Sequence, residues 1–247
     1  MRQLGLVSIS FRKLSFGEIL KAVKEAGLSC VEWGSDVHAP CTELEKVAAI
    51  ALAQKAAGIQ CCSYGTYFRF GVNKPEELLD YIKAAKLLGT DILRLWCGTK
   101  GSREYTAEEL EAVYADCRTA AKIAEAHGVT LCMECHNGTL TDWKEGALAL
   151  MQAVNSPAFR MYWQPNQWRT EEENLAYIKL LKNYTEHIHV FNWAGKEKYS
   201  LDQAQEQWQK YLALLPQHSA LLLEFMPDDR VESLNVEAEA LRKVAGE

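Results

Sequence analysis

Thr106–Glu134, TAEELEAVYADCRTAAKIAEAHGVTLCME, is the stretch on which the fold turns. Thr106 with Glu109 three residues later is a capping box: the hydroxyl accepts from an orphan N–H, and the carboxylate reaches back to the cap. A long amphipathic segment follows, and Gly128 ends it, because glycine takes the left-handed conformation that closes a helix. Thr130–Glu134 is then a short apolar run of strand length. The stretch is one helix feeding one strand.

The same unit recurs on both sides. Short apolar or β-branched runs lie at Leu4–Ser8, Cys30–Trp33, Gln60–Tyr64, Ile92–Trp96, Thr130–Glu134, Arg160–Trp163, Ile188–Phe191 and Leu221–Glu224. Their starts are 26, 30, 32, 38, 30, 28 and 33 residues apart, the length of a strand, a helix and two loops. Gly27, Gly58 and Gly89 punctuate like Gly128, and Ser15…Glu18, Thr42…Glu45 and Thr170…Glu173 repeat the capping box. Eight such units predict an α/β protein, a closed (β/α)8 TIM barrel. An open doubly wound sheet would carry a Gly-rich phosphate turn after its first strand. The turn here reads SISFRKLSF, without that pattern. No linker or low-complexity tract interrupts the repeat, so one domain over residues 1–247 is expected.

Composition narrows the function. Of 247 residues, 48% are hydrophobic and 24% charged, which predicts a folded globular chain. The net charge of −6 argues against a basic face for nucleic acid. No run approaches the ~20 apolar residues of a membrane span, and no cleavage pattern follows the short apolar N-terminal run. A cytoplasmic protein without nucleic-acid or membrane partners is expected. The eight cysteines form no dense disulfide framework. Cys132-x-x-Cys135 mimics a redox or zinc motif, but residues three apart on a strand face opposite ways.

In a barrel of this kind the chemistry sits where the strands end. Glu134 and Glu224 each close an otherwise apolar strand, where a carboxylate must be paired, hydrogen-bonded or metal-bound. His189 lies among apolar residues of strand seven and His187 one pleat earlier; the ligand role falls to His189, nearer the mouth. Trp33, Tyr67, Phe68, Trp96, Trp163, Trp168 and Trp193 cluster near strand ends, about half of them expected in the core and the rest as flat walls for a sugar. His38, Arg69, His136, Asn192 and Lys196 are the expected hydroxyl-orienting neighbours. Arg69 and Lys196 are alternatively phosphate partners.

Five of these segments carry a resemblance: GLVSIS (5–10), Gly34 after VEW, MECH (133–136), HIHVFN (187–192) and LLLEF (221–225). Together the chain resembles the xylose-isomerase-like TIM-barrel superfamily. That group includes sugar phosphate isomerases and epimerases, ketose 3-epimerases, hydroxypyruvate isomerase, inosose dehydratase and endonuclease IV. The resemblance implies a divalent metal (Mn²⁺, Mg²⁺, Zn²⁺ or Co²⁺) held by Glu134, Gln164, His189 and Glu224. Gln164 replaces the usual Asp, removing one negative charge, and Gln167 stands where a His is common. It further implies a metal-assisted sugar or sugar-phosphate isomerase or epimerase, with Glu134 and Glu224 moving protons through an enediolate. Trp96, His136, Gln167 and Trp168 join the expected substrate contacts. The alternative is a catalytically silent carbohydrate-binding barrel. Dehydration of a keto-polyol uses the same enolate chemistry, and an abasic-site endonuclease is disfavoured by the six histidines and the acidic balance. Relatives are often homo-oligomers, and no interface signal is legible in this chain.

Overall fold

The computed structural model describes residues 2–247. The eight expected runs become eight barrel strands: β1 (Leu4–Val7), β2 (Cys30–Gly34), β3 (Gln60–Phe70), β4 (Ile92–Cys97), β5 (Thr130–Glu134), β6 (Phe159–Trp163), β7 (Thr185–Val190) and β8 (Leu221–Leu223). They close in the order β1-β8-β7-β6-β5-β4-β3-β2, every pair parallel. Each strand is followed by a helix: α1 (Phe16–Glu25), α2 (Leu44–Ala57), α3 (Leu78–Leu88), α4 (Ala107–His127), α5 (Lys144–Val154), α6 (Glu171–Leu181), α7 (Gln205–Leu212) and α8 (Leu234–Ala245). The expected (β/α)8 barrel is the observed one. No helix among the described residues is long and apolar enough to cross a membrane.

Strand alternation splits the core into two layers. On β5, Leu131 and Met133 belong to the large outer core that Val113 and Cys117 of α4 and Leu150 of α5 also join. Cys132 points inward, into a small interior cluster with Cys30, Cys62, Tyr162 and Leu222. Glu134 shares the parity of Cys132, so the apolar inner layer supports a polar one at the mouth.

The capping boxes at Ser15, Thr106 and Thr170 are present with both hydrogen bonds. The one expected at Thr42 is not: α2 starts two residues later, and its cap is Glu43, held at φ −116° without a side-chain bond. Gly27, Gly58, Gly89 and Gly128 all adopt positive φ, as helix-ending glycines should. β3 runs six residues beyond the expected Tyr64, through a register shift between Gly65 and Arg69, and so carries Tyr67 to the barrel mouth. β7 starts three residues earlier than expected and ends at Val190, which leaves Phe191 and Asn192 in the following loop. Cys132 is a buried free thiol on β5, and Cys135 is a free thiol just past the end of that strand.

Candidate active site

Four side chains from four consecutive strands of the closed barrel converge at its mouth. Glu134 is the last residue of β5, Gln164 follows β6, His189 lies on β7, and Glu224 follows β8. The Glu224 N–H still donates to the Val190 carbonyl at 3.0 Å, which keeps its side chain on the inward course of the strand. His189 Nδ1 lies 3.1 Å from Gln164 Oε1, 3.5 Å from Glu224 Oε2 and 3.7 Å from Glu134 Oε1. One ligand atom from each of Glu134, His189 and Glu224 falls within 4.8 Å of the others.

That spacing suits a cation. Four donors at bonds of ~2.1 Å around a tetrahedral ion stand ~3.4 Å apart, close to the separations seen. The donor set, two carboxylates, an amide carbonyl and an imidazole, matches divalent ions that accept mixed O and N ligands. The residues therefore fit a metal, with Gln164 making the set one charge weaker than an Asp would.

Beneath these four lies a layer the strand-end reading did not find. Glu32, in mid-β2, and Arg94, in mid-β4, are both fully buried. Arg94 is bonded at once to Glu32 Oε1 (3.2 and 3.3 Å) and to Glu134 Oε2 (2.9 Å). Ser63 donates to Glu32 Oε2 at 2.7 Å and contacts Tyr162 Oη at 3.1 Å. His189 Nε2 is 3.4 Å from Glu32 Oε1, an ion-pair distance without hydrogen-bond alignment. Glu32 thus stands behind the imidazole and leaves Nδ1 facing the cation position, as supporting carboxylates do for metal-ligating histidines. A sequence signal existed: Val-Glu-Trp and Leu-Arg-Leu each place one charge inside an apolar strand, a placement tolerated only when the charge is paired.

The two carboxylates at the mouth differ in kind. Oε2 of Glu134 accepts from both Arg94 and the Trp96 indole N–H, leaving only Oε1 free. Burial raises its pKa, but Arg94 and then His189 outweigh that and bring it to about 2. Glu224 has no such clamp; burial dominates and, with Glu134 adding to it against the pull of His189, lifts its carboxyl above the ordinary range. Glu32 is held well below that range by Arg94 and His189 despite complete burial. His189 is opposed by burial, but Glu224 and Glu32 push it up to about 10. In the ion-free protein the imidazole therefore holds a proton at neutral pH, and an incoming metal must expel it. We expect Mn²⁺ uptake near pH 7 to release about one proton and to tighten as pH rises. Calorimetry in buffers of different ionisation enthalpy reads this directly, and pH-independent uptake without proton release would refute it.

Gly65 makes room for this layer. A Cβ there would lie 2.7 Å from Glu32 Oε1 and 2.8 Å from Arg94 Nη2. Gly65→Ala is expected to cost about 1–3 kcal/mol, seen as a fall in Tm. An unchanged Tm would show that the pair has slack.

Above the ligands opens a cavity of about 410 Å³, lined among others by Arg12, Tyr67, Trp96, His136, Asn137, Gln167, Phe191, Trp193 and Phe225. Of the expected substrate contacts, Trp96, His136 and Gln167 line it. Five do not. His38 is buried, bonded to Ser8 Oγ and the Leu14 carbonyl. Arg69 bonds the Gly98 carbonyl and stacks on Trp96, 4.6 Å from the ring centre. Asn192 is tied to the Ser200 carbonyl. Trp168 is 60% exposed, and Lys196 is exposed at a hairpin turn between Trp193–Ala194 and Glu197–Lys198. His187 belongs to the core, bonded to the Cys62 carbonyl and the Ala220 N–H. Among the expected aromatic walls, Trp33, Phe68 and Trp163 are buried in the core. Phe191, Phe225 and Arg12 enter the pocket from loops whose course the strand pattern does not describe.

The profile of the family described as "xylose isomerase-like TIM barrel" matches residues 20–204, and the chain belongs to that family. A 3-dehydroshikimate dehydratase of Bacillus anthracis is 23% identical over 200 residues, covering 76% of this chain and 71% of that protein. The crystal structure of the probable 3-DHS dehydratase AsbF of Bacillus anthracis superposes with TM-score 0.81 at 19% identity, over 98% of both chains. The IOLI protein with a binding zinc atom gives TM-score 0.81 at 14% identity, over 100% of this chain and 98% of that one. The E. coli 3-keto-D-glucoside 4-epimerase YcjR gives 0.73 at 13% identity, over 98% and 99%. At these identities the structural likenesses show the fold.

Proposed function

We propose that this chain is a metal-assisted dehydratase of a hydroxylated ketone of sugar size. The carrying observation is the asymmetry of the carboxylates. Glu134 is fixed in the ionised form by Arg94 and Trp96 and serves as ligand, while Glu224 is unclamped and faces the same cavity. Glu134, Gln164, His189 and Glu224 would hold the divalent ion. When bound, that ion supplies positive charge against the ketone oxygen as negative charge builds there. Glu224 takes the proton from the carbon beside the ketone. The C–H electron pair becomes the new C=C bond as the hydroxyl on the next carbon departs. The proton held by Glu224 then joins that hydroxyl, so one carboxyl group serves both halves and water is the only by-product. His136, Asn137, Asn166 and Gln167 stand where substrate hydroxyls need partners.

Isomerisation or epimerisation of a sugar or sugar phosphate is the second reading, favoured by the epimerase among the structural neighbours. Epimerisation requires Glu134 to return a proton on the opposite face, which its clamp opposes. Incubation with a panel of cyclic and open keto-polyols, Mn²⁺ and D₂O separates the two. Dehydration gives a conjugated enone, visible in the ultraviolet, and isomerisation gives deuterium exchange without it. Metal-dependent exchange with no enone from any substrate would overturn the dehydratase reading. Neither signal, with Mn²⁺ bound, would favour a silent binding barrel. The protein is expected to act as a small-molecule enzyme of the cytoplasm, on residues 1–247 as one domain.

A further inference from the structure

Three loops of the barrel mouth meet outside the cavity. Arg103 lies in the short turn Ser102–Glu104 after β4, Trp143 is the residue before α5, and Arg169 precedes Thr170, the cap of α6. The Arg103 Cζ is 3.7 Å from the Trp143 ring centre and the Arg169 Cζ 3.9 Å from it. At such distances each guanidinium lies flat on the ring, and two cannot share one face without overlapping. One indole is therefore held between two cations. None of the three residues lines the cavity, although Gln164–Gln167, on the loop that carries Arg169, do.

The positive charge there is uncompensated. Eight of the ten arginines direct the guanidinium to a carboxylate or a backbone carbonyl. Among the described residues, Arg103 and Arg169 make no ion pair and no side-chain hydrogen bond, and these are the two that share an indole. Nearby carboxylates are engaged elsewhere. Asp142 accepts from Ser102 Oγ at 2.7 Å, Glu104 accepts from the Gly101 N–H at 2.8 Å, and Glu145 is paired with Lys144 at 2.6 Å. Stacking occupies the faces of the two guanidiniums and leaves their N–H edges free, the edges that grip carboxylate or phosphate in a fork.

We infer that this Arg–Trp–Arg stack is a binding site for a small polyanion carrying two phosphate or carboxylate groups, one for each guanidinium. A single anionic group does not satisfy both, because the indole stands between the two guanidinium planes. The ring already fixes both arginine side chains, so little rotamer freedom is lost when the ligand arrives. The site lies beside the metal centre and takes no part in the chemistry proposed there, so it stands or falls independently of the dehydratase reading.

The test is calorimetric binding to the ion-free full chain at low salt, with two matched pairs of probes. Fructose 1,6-bisphosphate is compared with fructose 6-phosphate, and pimelate with hexanoate. At least one two-group probe is expected to bind at least about tenfold tighter than its one-group counterpart. A gain confined to the bisphosphate assigns the site to phosphate esters, and one confined to pimelate assigns it to carboxylates. Arg103→Gln and Arg169→Gln should each remove about tenfold or more of that binding. Arg103 is exposed and unpaired, so Arg103→Gln should leave Tm close to wild type. Arg103→Lys keeps the charge without the planar fork and should restore part of the affinity. Three results would each overturn the inference: no advantage for either two-group probe, wild-type binding by both glutamine variants, or a loss in Arg103→Gln that Arg103→Lys does not reduce.

Discussion

Arg94→Met is expected to cost about 3–5 kcal/mol of folding stability, because removing one partner of a buried ion pair leaves the other charge uncompensated. Here two charges are stranded. Glu32 and Glu134 are buried to within a few per cent of completely, and Arg94 is the guanidinium that bridges them. Urea unfolding at neutral pH measures the loss, and a change below about 1 kcal/mol would show that the bridge is dispensable. Arg94→Lys should recover only part of it: a single ammonium cannot present the planar fork that reaches Nε, Nη1 and Nη2 partners together. The same variant tests the site. With Arg94 gone, Glu134 loses the bond that fixes Oε2, so Mn²⁺ affinity should fall with stability. Weak metal binding in a protein that Arg94→Lys has refolded would separate positioning from folding.

Glu224→Gln is the second large effect. The amide keeps the shape of the side chain and one oxygen ligand, but cannot accept the substrate proton. Turnover should fall by about 10²–10⁴, with a smaller loss of stability than Arg94→Met, because Glu224 is paired only with the His189 imidazole at 3.5 Å and with no guanidinium. Metal affinity should weaken as well, so the comparison belongs at saturating Mn²⁺. A kcat within about tenfold of wild type under that condition would remove Glu224 from the proton-transfer role. Glu134→Gln should behave differently. It breaks the Arg94 contact and a ligand together, so loss of metal and of stability should accompany loss of rate.

Much of this was legible in the chain itself. Local rules suffice for elements: Thr106 and Glu109 cap a helix, Gly128 ends it, and Thr130–Glu134 is a strand, all from interactions within four residues. Repetition of that unit eight times admits few closed solutions, and the barrel follows. Glu134, His189 and Glu224 were also legible, since a polar residue near the end of an apolar strand points to the barrel mouth, whereas Gln164 was marked only by the family resemblance. Thr42 shows where local reading fails. Its spacing to Glu45 matches a capping box, yet the backbone after Pro40 places the helix start at Leu44.

Side chains on loops and past the β3 register shift were the least legible. His38, Asn192 and Lys196 sit on turns and Arg69 beyond the shift in β3; all have the right chemistry for hydroxyls, but no periodicity encodes their directions. Three of them meet backbone carbonyls, and Lys196 is exposed at its hairpin turn. Phe225 was hidden for the same reason: a positive φ in a non-glycine residue is imposed by its surroundings, here by Ser10 of a segment 215 positions away in sequence.

By itself, then, the amino-acid order determined the alternation of strands and helices, the closed barrel it implies and the residues that stand at strand ends. Those are consequences of period, capping and burial, which act along the chain. Only the tertiary structure decided that Arg94 reaches both Glu32 and Glu134, and hence that one mouth carboxylate is clamped while the other is free. Arg94 lies 62 positions from Glu32 and 40 from Glu134 in the chain. Which charge neutralises which inside a low-dielectric barrel depends on distances across its interior, and strand register and closure set those distances.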